Sequence, residues 1–194
     1  MKWVLIIVAA LVALVALMAI IGLLVPRNHV AAASITLRQS PDSVWKVIRD
    51  LGGMSAWWGE VKSSVRTADK DGHERWEQSI GGFAMAVVVE ADEPPRRLVT
   101  HIDSAPGASF GGGWTYEIVP TPEGSRVTVT ERGWIANPVF RFMSRFIFGY
   151  YGSIEKYLRA LGRRFGEAPT PVRAFSAAAA STAGGGSPDR ARSA

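Results

Sequence analysis

The chain has 194 residues, 22 of them basic and 17 acidic, for a formal net charge of +5. That length suits one ordinary domain, and the modest basic excess comes with no nucleic-acid motif, so no nucleic-acid partner is expected. There are no cysteines, which excludes disulfides and thiol chemistry.

Residues 3–25, "WVLIIVAALVALVALMAIIGLLV", carry no charge and are almost all apolar. At about 1.5 Å per residue a helix of this length crosses a hydrocarbon core of about 30 Å. Pro26 and Arg27 end the run. The reading is a single transmembrane anchor over residues 1–29, which makes the chain a single-pass membrane protein. A cleaved signal peptide competes, because "AAAS" at 31–34 holds a small-x-small pattern. The apolar run is longer than the roughly 7–15 residues of a signal core, and Pro26 leaves the pattern far from it. Lys2 and the amino terminus before the span balance Arg27 and Arg38 after it, so the side of the domain stays open.

The next segment, "SITLR", alternates as a short strand with Ile35 and Leu37 on one face. Ser40 offers an N-cap and Pro41 a first helical position, so a helix starts there. Val44, Trp45, Val47, Ile48 and Leu51 give it an apolar face, and Gly52 and Gly53 end it. "MSAWW" allows one or two further turns. It sets Trp57 and Trp58 side by side, where both cannot face the core of one regular helix.

From Val61 to Ile135 the signals are strand and turn: about six strands, short connections, and therefore an antiparallel meander. "GASFGGGW" reads as a flexible connection before a strand. Asn137 and Pro138 open a long helix running to about Phe165. Gly149 and Gly152 are costly inside it and mark a bend or a close approach. Residues 167–194 are rich in Ala, Ser, Gly and Pro and read as a disordered tail.

On these residues the chain resembles a known family. "ASITLRQSPDSVWKVIRDLGGMSAWW" is similar to the opening of START-like, polyketide cyclase/dehydrase-type (SRPBCC) domains. "GWTYEIVPTPEGSRVTVTERG" resembles their last hairpin, and the helix after Asn137 their closing helix. The resemblance covers residues 30–166. It implies an α+β helix-grip fold, a curved antiparallel sheet wrapped around a long C-terminal helix, here preceded by the transmembrane helix. The family includes lipid carriers, aromatic cyclases and hormone receptors and has no shared catalytic motif, so no catalytic residue is carried over.

In that fold the second short helix sits at the mouth of a cavity. One indole of Trp57 and Trp58 then points inward while the other covers the rim. Trp76, Phe83, Met85, Trp114 and Tyr116 are expected on the inward face of the sheet, opposite Phe142, Met143, Phe146 and Tyr150 of the long helix. Together these form the expected ligand contacts, unless they simply pack as core. Strict alternation with Val127 and Val129 turns Glu131 inward, where a buried carboxylate is a candidate acid or base, unless a bulge exposes it. His101, beside Glu131 or Asp103, is the other catalytic candidate. No metal-ligand spacing and no cofactor motif is present, so neither is expected.

The resulting expectation is a membrane-anchored binding module for a lipid, isoprenoid quinone or aromatic metabolite. A cyclase or dehydratase-type enzyme, and a structural or interaction protein with a filled core, are the alternatives.

Overall fold

The computed structural model describes residues 1–174. The expected tail from Phe175 onward lies outside the described residues. Helix α1 runs from Lys2 to Leu24. It is long and apolar enough to cross a membrane. Its side chains face outward over most of its length.

Strand β1 spans Asn28–Leu37, several residues longer than the alternation in "SITLR" suggested. Helix α2 covers Pro41–Arg49, and the Ser40 side chain accepts a hydrogen bond from the Ser43 backbone N–H as its cap. A short 3-10 turn follows at Gly52–Ala56. Six strands come next: β2 Val61–Arg66, β3 Arg75–Ile80, β4 Phe83–Glu93, β5 Arg97–Ile102, β6 Phe110–Thr121 and β7 Gly124–Ile135. They form the expected antiparallel meander, β2 to β7 in order, with β1 added beside β7. The α+β helix-grip architecture is thus the one expected.

The closing helix differs from expectation: it is two helices. Asn137 caps α3, Pro138–Met143, which continues as a π-helical turn over Ser144–Phe148. Gly149 then takes φ 72°, a left-handed value that a residue with a Cβ rarely adopts, and ends the segment. Helix α4 restarts at Gly152 and runs to Arg164. The apolar spacing from Val139 to Leu161 is continuous, but its first part serves a different partner. The final turns of α1 recruit α3: Met18, Ile21, Gly22 and Val25 lose exposure on one face, and Gly22 rests directly against the Pro138 backbone. Arg141, itself buried, donates from Nη1 to the Val25 carbonyl at 2.9 Å and from Nη2 to the Ala136 carbonyl at 3.4 Å.

Helix α4 alone grips the sheet. Ile154, Tyr157, Leu158 and Leu161 are fully buried against β1 and β7, where Ala33, Ile35, Val127 and Val129 face them. Val44, Trp45 and Ile48 of α2 close the same core. This end of the domain is solid.

Pairing also extends beyond the expected domain limit at residue 166. Val172–Ala174 form β8, antiparallel to β1. Arg173 Nε lies 2.7 Å from Glu155, and its guanidinium sits 4.6 Å from the Tyr151 ring centre. The Ala- and Pro-rich composition of this stretch hid the strand, because a three-residue edge strand is held by backbone and by Arg173 rather than by apolar burial. Truncation after Ala174 should leave unfolding free energy within about 0.5 kcal/mol of the full chain. Truncation after Gly166 should cost about 1–2 kcal/mol, through lost ladder bonds and the Arg173 contacts. Urea titration of the two truncations checks this.

Candidate functional site

The sheet alternates strictly in the region that matters. Leu98 pairs with Tyr116, Thr100 with Trp114, and Trp114 with Glu131, so these residues share the concave face. On that face α4 covers only the β1–β7 end. Over β3 to β6 the face stays uncovered and bounds a cavity of about 890 Å³. Met85, Val87, Ile102, Trp114 and Tyr116 supply its apolar wall, Leu51, Met54 and Trp58 one end, and Ile147, Phe148 and Tyr150 the side toward the π-helical turn. Such a volume suits a small organic ligand.

Glu131 is the polar centre of this cavity. No bulge interrupts the β6–β7 register around it, so it faces inward as alternation requires. His29 Nε2 lies 3.1 Å from Oε1. Trp114 donates its indole N–H to Oε2 at 2.9 Å, and the Ser153 hydroxyl donates to Oε2 at 3.2 Å. Four elements therefore converge on one carboxylate: β1, β6, β7 and the first turn of α4. The His29 ring also stacks on Tyr150, with centroids 4.3 Å apart. Gly133 makes the room, since a Cβ there would meet the His29 ring at 2.6 Å. The carboxylate is satisfied by donors while one edge of the cluster stays open to the cavity, which His29, Glu131, Trp114, Tyr150 and Ser153 all line.

The cavity tyrosines are neutral donors. Burial pushes the Tyr116 hydroxyl far above the ordinary tyrosine range, opposed by a hydrogen bond with Thr100 and reinforced by the Glu131 charge. Burial raises Tyr150 as well, against the nearby Arg145 charge. Neither can serve as a base near neutral pH.

The expected site residues divide. Trp58, Phe83, Met85, Trp114, Tyr116, Glu131 and Tyr150 line the cavity. Trp57 does not: it packs edge-on against Tyr157 at 5.4 Å, beside Trp58 on the same ring at 5.0 Å. The adjacent indoles clasp the one α4 tyrosine, and only Trp58 reaches the cavity. Trp76 is drawn aside, its indole N–H donating to Glu74 at 2.7 Å and its ring over Gly52. Phe142, Met143 and Phe146 lie outside the cavity because their segment follows α1, with Phe142 and Phe146 against each other at 5.1 Å.

His101 meets neither Glu131 nor Asp103. It borders the cavity where β5 passes Gly113, but its parity directs the ring to the convex side, where Nδ1 lies 3.0 Å from Glu90. Asp103 pairs instead with Lys70 and Arg75. The sequence reading missed His29, which it assigned to the anchor. It also placed "FGGGW" in a connection, whereas Gly111–Gly113 belong to β6 and line the cavity. The available signal was glycine inside strand sequence, at Gly111–Gly113 and Gly133, which marks close approach of another group.

The model of the family "Polyketide cyclase / dehydrase and lipid transport" matches residues 28–166. The chain belongs to that family. No curated protein matches it. Among solved structures it is similar to the di-domain ARO/CYC BexL from the BE-7585A biosynthetic pathway, with a TM-score of 0.57 and 9% identity. That match covers 70% of this chain and 49% of BexL, so this chain spans about half the length of that relative. A conserved protein from Geobacillus kaustophilus matches with a TM-score of 0.55 at 16% identity, over 74% of this chain and 99% of that one. A START superfamily protein from Mycobacterium smegmatis matches with a TM-score of 0.51 at 15% identity, over 72% and 97%. At these identities the likeness concerns the fold.

Proposed function

We propose that the chain is a membrane-anchored binding protein for an apolar small molecule bearing one polar group. The supporting observation is the 890 Å³ apolar cavity whose polar lining centres on Glu131 and His29. A lipid, an isoprenoid quinone or an aromatic metabolite fits this description, with its polar group at the Glu131 cluster and its apolar body along Met85, Ile102 and Tyr116. Helix α1 would hold the cavity near the bilayer in which such ligands dissolve. Two experiments test the reading. Native mass spectrometry of the detergent-purified full chain should show co-purified apolar molecules, released by organic extraction. Carbonate washing of membranes should leave the full chain in the pellet; recovery in the soluble fraction sinks the anchor.

The Tyr116→Ala variant separates a ligand cavity from a filled core. Tyr116 is itself buried but borders open volume, so its removal should cost less than the about 3–5 kcal/mol of a close-packed aromatic. Binding of a hydrophobic dye, followed by tryptophan emission, should change more than stability does. A full core-sized loss together with no dye binding by the wild type would defeat the proposal.

One observation favours a second reading, an enzyme of cyclase or dehydratase type. An imidazole and a carboxylate 3.1 Å apart face an apolar cavity, an arrangement able to take a proton from a bound substrate and return it. Conversion of the extracted molecule by the wild type, and its loss in His29→Gln with binding retained, would decide for the enzyme.

A further inference from the structure

Four large apolar side chains on the segment after β7, and Phe110 of β6, are left more than a third exposed. Phe140, Phe146, Ile147 and Phe148 are 52%, 58%, 59% and 63% exposed, and Phe110 across the cavity mouth is 40% exposed. Ile147, Phe148 and Phe110 line the cavity itself. The rim of the cavity is therefore among the most apolar exposed surfaces of the domain, opposite in character to a mouth that faces water.

The position of this segment along α1 says what covers it. α3 packs against the face formed by Met18, Ile21, Gly22 and Val25. Met18 precedes Leu24, the last residue of α1, by six positions, or about 9 Å along the axis. If α1 spans a bilayer, its last two turns lie at the edge of the hydrocarbon, and α3 lies beside them at the same depth. The buried Arg141 ties α3 to the Val25 carbonyl, so the segment cannot simply swing into water. Ile20, Leu23 and Leu24, in the same last turns of α1 that hold α3, are themselves 59%, 63% and 83% exposed.

We infer that the Phe140–Phe148 segment is a second membrane contact, seated in the interfacial layer of the bilayer that α1 crosses and holding the cavity mouth against the lipid. An apolar ligand then passes between bilayer and cavity past Ile147 and Phe148 without crossing water. Arg145, 5.7 Å from the Phe146 ring centre, is placed to meet lipid phosphates while its neighbour inserts. The inference rests on the reading of α1 as a membrane span.

The chain has no cysteine, so single labels can be placed without other changes. The full chain, reconstituted in phosphatidylcholine vesicles, would carry an environment-sensitive fluorophore at Leu14→Cys in α1, at Phe146→Cys, or at Val119→Cys. Val119 is exposed near the opposite end of the sheet, toward the β6–β7 turn. Phe146 does not line the cavity, so a quenched label there reports lipid rather than the cavity. Phe140→Cys replaces it should that variant fail to fold. With brominated acyl chains in the vesicles, emission at Leu14 and at Phe146 should fall by about a half, and at Val119 by less than about a tenth, given burial of such faces roughly 5–10 Å into the interface. Quenching at Leu14 but not at Phe146 overturns the second contact and leaves the anchor standing. No quenching at Leu14 removes the anchor, and the second contact falls with it.

Discussion

Replacing Tyr157 with alanine should destabilise the domain by about 3–5 kcal/mol, the range for removing a fully buried aromatic whose surroundings cannot collapse. Tyr157 is the hub of the aromatic set: Trp57, Trp58, Trp114 and Tyr116 all lie with ring centres 5.0 to 5.5 Å from it. Three of these contacts are edge-on, the favoured geometry for aromatic pairs. The cavity beside it should grow, since Trp58, Trp114 and Tyr116 would lose the ring that holds them. Tyr157→Phe should do the reverse. The hydroxyl is buried with no hydrogen-bond partner among the described residues. Removing it should be neutral or stabilise by about 1 kcal/mol, because an unpaired buried polar group costs about 1–3 kcal/mol. Paired urea melts of the two variants check both signs. A substantial loss in Tyr157→Phe would mean that the hydroxyl is bonded after all.

The second large effect is expected at Glu131. Alanine there leaves the Trp114 indole N–H and the Ser153 hydroxyl without their acceptor, and His29 without its partner. The expected loss is about 2–4 kcal/mol, below the sum for three fully buried groups because the Glu131 side chain is 20% exposed and water can enter. Glu131→Gln keeps the size and one oxygen, which can still accept from Trp114 and Ser153 while the amide N–H donates to His29 Nε2, so it should cost less than half as much. Tryptophan emission gives a second readout, because Trp114 loses a charged neighbour. A stability change under about 0.5 kcal/mol in Glu131→Ala would show that the cluster is not an organising feature of the fold. A cavity that still takes up hydrophobic dye in this variant would show that apolar volume, rather than the carboxylate, governs uptake.

The site was legible in proportion to how local its determinants were. Trp114 and Tyr116 follow from alternation along β6 and Glu131 from alternation along β7, and alternation holds because a half-buried sheet fixes its register. His29 could not be read, since what brings it to Glu131 is the pairing of Ala31 with Glu131 across a hundred residues. Phe142, Met143 and Phe146 carried the correct helical spacing and went to the wrong partner. Spacing reports that a face is apolar, not which surface or solvent will cover it. Trp57 and Trp76 show the same limit: a large indole can be satisfied by Tyr157 or by Glu74 as readily as by a cavity.

The sequence by itself determined the run of α1, the cap and start of α2 at Ser40 and Pro41, the antiparallel meander and the start of the closing helix at Asn137. Each of these is set by composition, by side-chain period or by a residue whose backbone preference acts on its neighbours. Only the tertiary structure decided that the bend or close approach marked by Gly149 is a full break, that α3 leaves the sheet for α1, and that β8 completes the edge of β1. Those outcomes turn on which of several apolar or unpaired surfaces lie close enough to meet, and that is a property of distant segments brought together rather than of any one of them. The cavity is the product of that competition: α4 covers only part of the concave sheet because the first half of its helix is held by the end of α1.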